Sequence, residues 1–195
     1  LALLLVWYAA AAGREAGTPL IAAVAGTFRF FTMQTNLFVM IWLLVAIVYW
    51  HQEREHPLLR PVYKGAFTLY ISVTFLVFAV LLAPLSNPQG VHIYTNAITH
   101  YVTPVAFIVD WFLFERKRAC PWRYALFWLL YPLMYFIFAL IYGGRTGDYI
   151  YPFLNLPALG LNGLATWFAI LFALFLVLGL FYIGVNRVVG VEEAL

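Results

Sequence analysis

The chain has 195 residues, of which 65% are hydrophobic, 19% aromatic and only 10% charged, and its mean hydropathy is +0.91. A soluble domain runs about 45–50% apolar and about 25% charged, so this composition excludes a soluble globular enzyme, a disordered chain and a nucleic-acid-binding protein. The net charge of +3 comes from sparse basic residues, which in so apolar a chain set membrane topology, and the single cysteine, Cys120, excludes an internal disulfide and a cysteine-based metal cluster.

The predicted class is an all-α polytopic membrane helix bundle, one domain over residues 1–195 with six transmembrane helices and both termini cytoplasmic. A bilayer core about 30 Å thick needs about 20 mostly apolar residues per helix. The run over residues 1–12 is apolar but short. Because the chain begins with Leu and has no basic segment ahead of this run, a first span entered partway is expected rather than a signal peptide. After a polar, Gly-rich connection at 13–18, residues 19–25 suit an interfacial turn of helix. Full spans are then expected over 27–50, 62–84, 93–114, 122–142 and 163–185. The loops between them fall at 51–61, 85–92, 115–121 and 143–162. The last is the longest, and its prolines, Pro152 and Pro157, and its aromatic residues oppose a free coil and suggest a functional loop.

Eight of the eleven basic residues lie on one side: Arg54, Arg60 and Lys64, then Arg116, Lys117, Arg118 and Arg123, then Arg187. Arg14, Arg29 and Arg145 lie on the other. The excess marks the cytoplasmic side, and the loops at 13–18, 85–92 and 143–162 face out. No internal repeat of 20–50 residues is evident, which argues against an inverted-repeat transporter.

Most residues within the spans are lipid contact or packing, and function has to be read from the polar exceptions. In the second span Thr32, Thr35 and Asn36 sit at i, i+3 and i+4 and share a helical face. Each taken alone fits a structural role, bonding a carbonyl one turn back or joining helices. The fourth span carries His100, the one histidine expected at membrane depth. An ionisable residue there is costly and points to function, although a histidine bonded to a neighbouring helix is the structural alternative. Asn96, one turn earlier, is placed to fix the tautomer of His100. Pro104, four residues later, leaves the carbonyl of residue 100 without its helical donor and kinks the helix. Counted from the outer ends of their spans, Thr32 lies about 8 Å deep and His100 about 10 Å deep. A hydroxyl and an imidazole therefore fall at one level on different helices, as a hydroxyl nucleophile and its base require. Asp110 lies about 15 Å below His100, too far to be its carboxylate partner, which leaves Asp148 as the outer acid for that role beside Glu15.

Three stretches together resemble the androgen-induced-gene family of multi-pass membrane hydrolases and its bacterial six-pass relatives. They are Arg29-Phe30-Phe31-Thr32, similar to that family's basic-aromatic-apolar-Thr entry; Asn96 and His100 followed by Pro104; and Thr146-Gly147-Asp148-Tyr149-Ile150-Tyr151-Pro152-Phe153-Leu154, similar to its Thr-Gly-x-aromatic-x-Tyr-Pro-Phe-Leu loop. The resemblance implies hydrolysis of fatty acid esters of hydroxy fatty acids, with Thr32 as nucleophile and His100 as the catalytic histidine, in a bacterial inner membrane. The run Met33-Gln34-Thr35-Asn36 is closer to the bacterial pattern and leaves Thr35 as the other candidate nucleophile.

The expected function is thus an intramembrane lipid-ester hydrolase. Thr32 and His100 are its catalytic pair, with Thr35, Asn36 and Asn96 in support. Asn36 or Asn96 would donate to the oxyanion, and Arg29 or Arg145 would hold a substrate carboxylate or phosphate. Asp148, Tyr151 and Trp167 complete the substrate site, with Tyr151 shaping its roof. The alternatives are a lipid acyltransferase, in which only the acceptor differs, and a non-enzymatic lipid- or small-solute-binding membrane protein. A haem protein would need paired membrane histidines. No cofactor is expected, and one membrane histidine without clustered acids falls short of a metal ligand set. The partners are a lipid substrate and the membrane, with no nucleic acid.

Overall fold

A computed structural model describes residues 17, 19–52, 56–116 and 118–189. These residues form helices joined by short loops, with no β-strand among them. A short helix, α1 (Leu20–Thr27), turns at Phe28–Phe30 into α2 (Phe31–Tyr49). Then come α3 (Pro61–Leu85), α4 (Val91–Phe114), α5 (Tyr124–Thr146) and α6 (Leu156–Asn186). The last five are each long and apolar enough to cross a membrane. The span expected over residues 1–12 lies outside the described residues.

Helix α3 is the centre of the bundle, packing against α2, α4, α5 and α6. Its side chains at Leu69 and Ile71 are fully buried, while the other helices turn large apolar residues such as Ile47, Leu126 and Val177 outward. In a bilayer that outward apolar surface meets a solvent of its own kind. Gly65 makes the α3–α5 approach possible: a Cβ there would overlap the indole of Trp128. That indole donates from Nε1 to the carbonyl of Val62 at 2.8 Å.

Two helices carry a π-helical turn. One runs Phe78–Leu82 in α3 and the other Ile98–Val102 in α4. Each lies just ahead of a proline, Pro84 and Pro104, whose missing N–H interrupts the i→i−4 ladder. The turns are rare elsewhere and concentrate at functional positions. Here they face the same space, because Phe78 on one stacks on His100 on the other.

The connection between α5 and α6 is shorter than the expected 143–162. Helix α5 continues to Thr146 and ends on Gly147 in the left-handed conformation, while α6 starts at Leu156. Asn155 caps it through its side chain, accepting from the Ala158 N–H, and a proline stands in the first turn. These are ordinary start signals. A kink at Gly160, with φ of 65°, lies within α6 three residues ahead of the span start expected at 163.

At the opposite end from Thr32, the α4–α5 loop is held by Asn186 at the end of α6. The Asn186 side chain accepts from the Cys120 N–H at 3.0 Å and donates to the Arg116 carbonyl at 2.8 Å, while its backbone carbonyl accepts from the Arg118 N–H at 2.9 Å. Cys120 is buried, and burial, with Glu115 nearby, pushes its thiol up to about 12. The thiol should therefore resist maleimide in the folded protein near neutral pH. Asn186→Leu removes a donor from the Arg116 carbonyl and leaves the buried Cys120 N–H without its acceptor, at about 1–3 kcal/mol for the latter. That variant should label at Cys120 and unfold at lower temperature, measured by labelling against temperature in detergent.

Candidate functional site

Thr32 and His100 meet. The Thr32 Oγ1 lies 3.2 Å from His100 Nε2, although the residues are 68 positions apart. Thr32 is in the first turn of α2, and His100 is in the π turn of α4. The other ring nitrogen, Nδ1, lies 3.2 Å from the backbone carbonyl of Asn96 and 3.2 Å from Thr99 Oγ1. The carbonyl can only accept, and the Thr99 hydroxyl already gives its own hydrogen to the Thr95 carbonyl at 2.8 Å. Both neighbours of Nδ1 are thus acceptors, which places the imidazole hydrogen on Nδ1. Nε2 is left as a bare lone pair facing the Thr32 hydroxyl. Phe78 covers one face of the ring, with centroids 3.7 Å apart and planes 21° apart.

This geometry changes two expected roles of asparagine. The backbone carbonyl of Asn96, not its side chain, orients His100. Asn36 is fully buried, and its amide donates to the carbonyls of Thr32 at 2.8 Å and Thr99 at 3.0 Å. With both amide hydrogens in use it pins α2 to α4 directly behind the pair and has none left for an oxyanion. Thr35 faces away from the imidazole. Its hydroxyl lies 2.9 Å from that of Thr74 on α3 and donates to the Thr32 carbonyl at 3.0 Å. Hydroxyl and amide bonds thus join three helices around one nucleophile-sized group.

The charged residues near this end of the bundle also pair differently from expectation. Asp148 meets Arg29, not His100: Arg29 Nη1 lies 2.7 Å from Asp148 Oδ2 and donates to the Tyr142 hydroxyl at 2.8 Å. Burial works against the Arg29 charge, but the Tyr142 hydroxyl and the Asp148 carboxylate outweigh it, and its pKa is raised. The guanidinium therefore already has an anion, and a substrate carboxylate would have to displace Asp148. Arg145 is exposed on the last turn of α5. Trp167 sits behind the site, tilted against Phe153 at 5.7 Å between centroids, and does not line the cavity described below.

A stripe of tyrosines on α5 escaped the sequence reading. Tyr131, Tyr135 and Tyr142 stand at i, i+4 and i+11, so they lie along one face. All three reach the corner between α1 and α2. Tyr131 donates to the side chain of Gln34, Tyr135 donates to the Arg29 carbonyl at 2.9 Å, and Tyr142 accepts from Arg29. Helical spacing of hydroxyl-bearing aromatics opposite a basic-aromatic helix entry was the available signal. Tyr151, expected as a roof, comes closer than that. Its hydroxyl, like that of Tyr135, accepts from the Phe31 N–H at 3.1 Å.

Beside Thr32 lies a cavity of about 90 Å³ between α2, α3, α5, α6 and the 147–155 loop. One water needs roughly 10–15 Å³ by the same kind of measure, so the space takes several heavy atoms in a row. Its lining is apolar except for four hydroxyls, those of Thr32, Thr74, Tyr135 and Tyr151. Among the described residues no group of three or more His, Cys, Asp or Glu side chains is placed to hold a metal ion. Comparison of the chain with protein-family models, with curated proteins and with solved structures finds no match.

Proposed function

We propose that this protein is an intramembrane hydrolase of lipid esters, with Thr32 as nucleophile and His100 as general base. One observation carries the reading: the Thr32 hydroxyl lies 3.2 Å from an imidazole nitrogen whose lone pair is free, at the edge of an apolar cavity. A threonine hydroxyl is a poor nucleophile until a base removes its proton, and an adjacent, correctly tautomerised histidine is such a base. The resemblance of the Arg29–Thr32, Asn96–Pro104 and Thr146–Leu154 stretches to the androgen-induced-gene hydrolases supports the same assignment and suggests fatty acid esters of hydroxy fatty acids as substrates. The basic-residue asymmetry supports a site in the outer leaflet of a bacterial inner membrane, with both termini cytoplasmic.

The reaction runs in two halves. His100 Nε2 takes the Thr32 proton as Oγ1 bonds to the ester carbonyl carbon, and the carbonyl π electrons move to its oxygen. The tetrahedral intermediate collapses, the bond to the alkoxy oxygen breaks, and the imidazolium returns the proton to the leaving alcohol. Water, deprotonated by His100, then attacks the Thr32 ester, and collapse releases the fatty acid and restores the Thr32 hydroxyl. The Asn96 carbonyl and Thr99 hydroxyl at Nδ1 stabilise the imidazolium in both halves.

The cavity would take the acyl chain. Along α5 its lining runs from Tyr135, beside the α2 entry, to Leu129, a distance of about 9 Å. Carbon–carbon bonds of about 1.5 Å at near-tetrahedral angles advance roughly 1.25 Å each, so that length fits about seven carbons. Leu129→Phe should cut kcat/KM for long acyl chains about tenfold and leave short-chain esters within about twofold, since each excluded methylene is worth about 1–3 kcal/mol. A chain-length series of p-nitrophenyl esters measures this. The reading itself is tested by ester turnover in purified Thr32→Ala and Thr35→Ala protein: loss only in the first supports it, and retention in the first refutes it.

A further inference from the structure

The Thr–His pair explains how the nucleophile is activated but leaves unstated what stabilises the oxyanion, and the asparagines expected there are engaged elsewhere. We infer that the Tyr151 phenol, with the backbone N–H of Thr32, forms the oxyanion hole of this site, which makes Tyr151 a third catalytic residue. The inference rests on the proposed hydrolase reading and concerns the same reaction.

Three observations lead to it. The first is placement. Tyr151 lies in the 147–155 loop, lines the cavity together with Thr32, and is buried. Its hydroxyl accepts from the Phe31 N–H at 3.1 Å, one residue ahead of the nucleophile. The second is the position of those N–H groups. Phe31 and Thr32 open α2, where the first N–H groups of a helix have no carbonyl one turn back. They point out of the helix end, and the helix dipole favours negative charge there.

The third is the direction of the hydrogens. Tyr135 already spends its hydrogen on the Arg29 carbonyl. The Thr32 hydrogen goes to His100 Nε2, and the N–H groups of Phe31 and Thr32 only donate. The Tyr151 hydroxyl donates no hydrogen bond within the described structure, so its hydrogen is available in the cavity that it lines with Thr32. Burial, first of all, pushes the Tyr151 phenol above its ordinary value, so it holds its hydrogen at any working pH. Tyr151 is thus a neutral donor on the wall of the cavity into which Thr32 attacks.

When Thr32 Oγ1 bonds to the carbonyl carbon, the former carbonyl oxygen becomes attached to that same carbon, one bond angle away. That oxygen then sits in the cavity beside the first turn of α2, where the Tyr151 hydroxyl lies 3.1 Å from the Phe31 N–H. The Tyr151 hydrogen turns to the oxygen that has gained the charge. The Thr32 N–H joins it from the other side. No proton leaves Tyr151 at any step, and the interaction strengthens only in the transition state, which is what lowers a barrier.

The test is Tyr151→Phe in the full-length protein, read as kcat and KM on a p-nitrophenyl ester, with Thr32→Ala as reference. Removing one oxyanion donor costs about 10²–10³-fold in kcat. The expected result is a loss of that size with KM within about threefold, while fluorophosphonate still labels Thr32 at a reduced rate. Full kcat in Tyr151→Phe, with Thr32→Ala inactive, overturns the oxyanion role and leaves the hydrolase reading intact. Retained turnover in Thr32→Ala overturns the hydrolase reading itself. Should Tyr151→Phe fold poorly, fluorotyrosine at position 151 decides the question, because the more acidic phenol keeps the packing. A kcat that changes with ring fluorination supports the role, and a kcat independent of fluorination overturns it.

Discussion

Thr32→Ala is expected to abolish ester turnover, lowering kcat about 10⁴-fold or more, with no comparable loss of folded protein. The size follows from what the hydroxyl does in the proposed reaction. Removing the nucleophile of a nucleophile–base unit leaves only binding and oxyanion stabilisation, and such units lose most of their rate when either member goes. The small structural cost follows from the contacts. The Thr32 side chain is half-buried, and its one hydrogen bond in the described structure runs to His100 Nε2. The Thr32 carbonyl, which Asn36 and Thr35 use to hold the helices together, belongs to the backbone and survives the substitution. Thr35→Ala should behave in the opposite way. It loses a buried hydroxyl pair with Thr74, worth about 0.5–1.5 kcal/mol of stability, and should keep kcat within about tenfold. Thr32→Ser should retain measurable turnover, since the hydroxyl stays within reach of Nε2. Steady-state kinetics of the three variants, each checked by thermal unfolding in detergent, separates these outcomes.

His100→Ala should be the second large effect, a loss of about 10²–10⁴-fold in kcat, the range that a positioned general base supplies. The Thr32 hydroxyl would remain but nothing nearby would take its proton, since Asp148 is committed to Arg29 and Asp110 pairs with Lys64 at 3.0 Å. The substitution also leaves a flat space against Phe78, which in the native protein stacks on the ring at 3.7 Å. Added imidazole should enter that space and restore part of the rate in a saturable way. His100→Gln, which fills the space and keeps a hydrogen bond but offers no base, should be as slow as His100→Ala and should not respond to imidazole. Turnover of His100→Ala at the native rate would remove the base from the account.

The two halves of the site were not equally legible in the sequence. Length and hydropathy located the five long helices, because the bilayer imposes a span length that shows directly as apolar runs. Depth then brought Thr32 and His100 together, since counting residues from the outer helix ends needs no knowledge of packing. What could not be read was which way each side chain points. Helices apolar on nearly every face carry no phase in their pattern, so no periodicity could show that Asn36 turns toward Thr99 and Thr35 toward Thr74. The same lack hid the role of Asn96, whose side chain was the visible feature although its carbonyl makes the contact. The π turns were partly visible as Pro84 and Pro104, but a proline alone indicates a disturbed ladder and not the form it takes. Arg29 and Asp148 are 119 positions apart, and their pairing depends on how the 147–155 loop folds over the α1–α2 corner. The tyrosine stripe on α5 was legible at 131, 135 and 142, and was missed because each tyrosine, taken singly, looks like an interface anchor.

The loop at 147–155 ties these features to chemistry. Asp148 anchors one end of it to Arg29, and Tyr151 brings a phenol to the first turn of α2. Phe153 stacks on Tyr151 with rings 5.0 Å apart and 9° from parallel. Tyr151 and Phe153 thus line the cavity, while Asp148 ties the same short segment to Arg29. The burial of that segment explains why a chain of such low polarity keeps so many hydroxyls in one place: each is bonded, and together they surround the one threonine that faces a bare imidazole nitrogen.

The most direct test of the account is the site of covalent capture. Purified protein treated with a lipophilic fluorophosphonate, digested and sequenced by mass spectrometry should carry a single phosphonyl group on Thr32, and the same protein with His100→Ala should be labelled far more slowly. An adduct on Thr35, on Tyr151 or on no residue of α2, formed while esters are being turned over, would contradict Thr32 as the nucleophile.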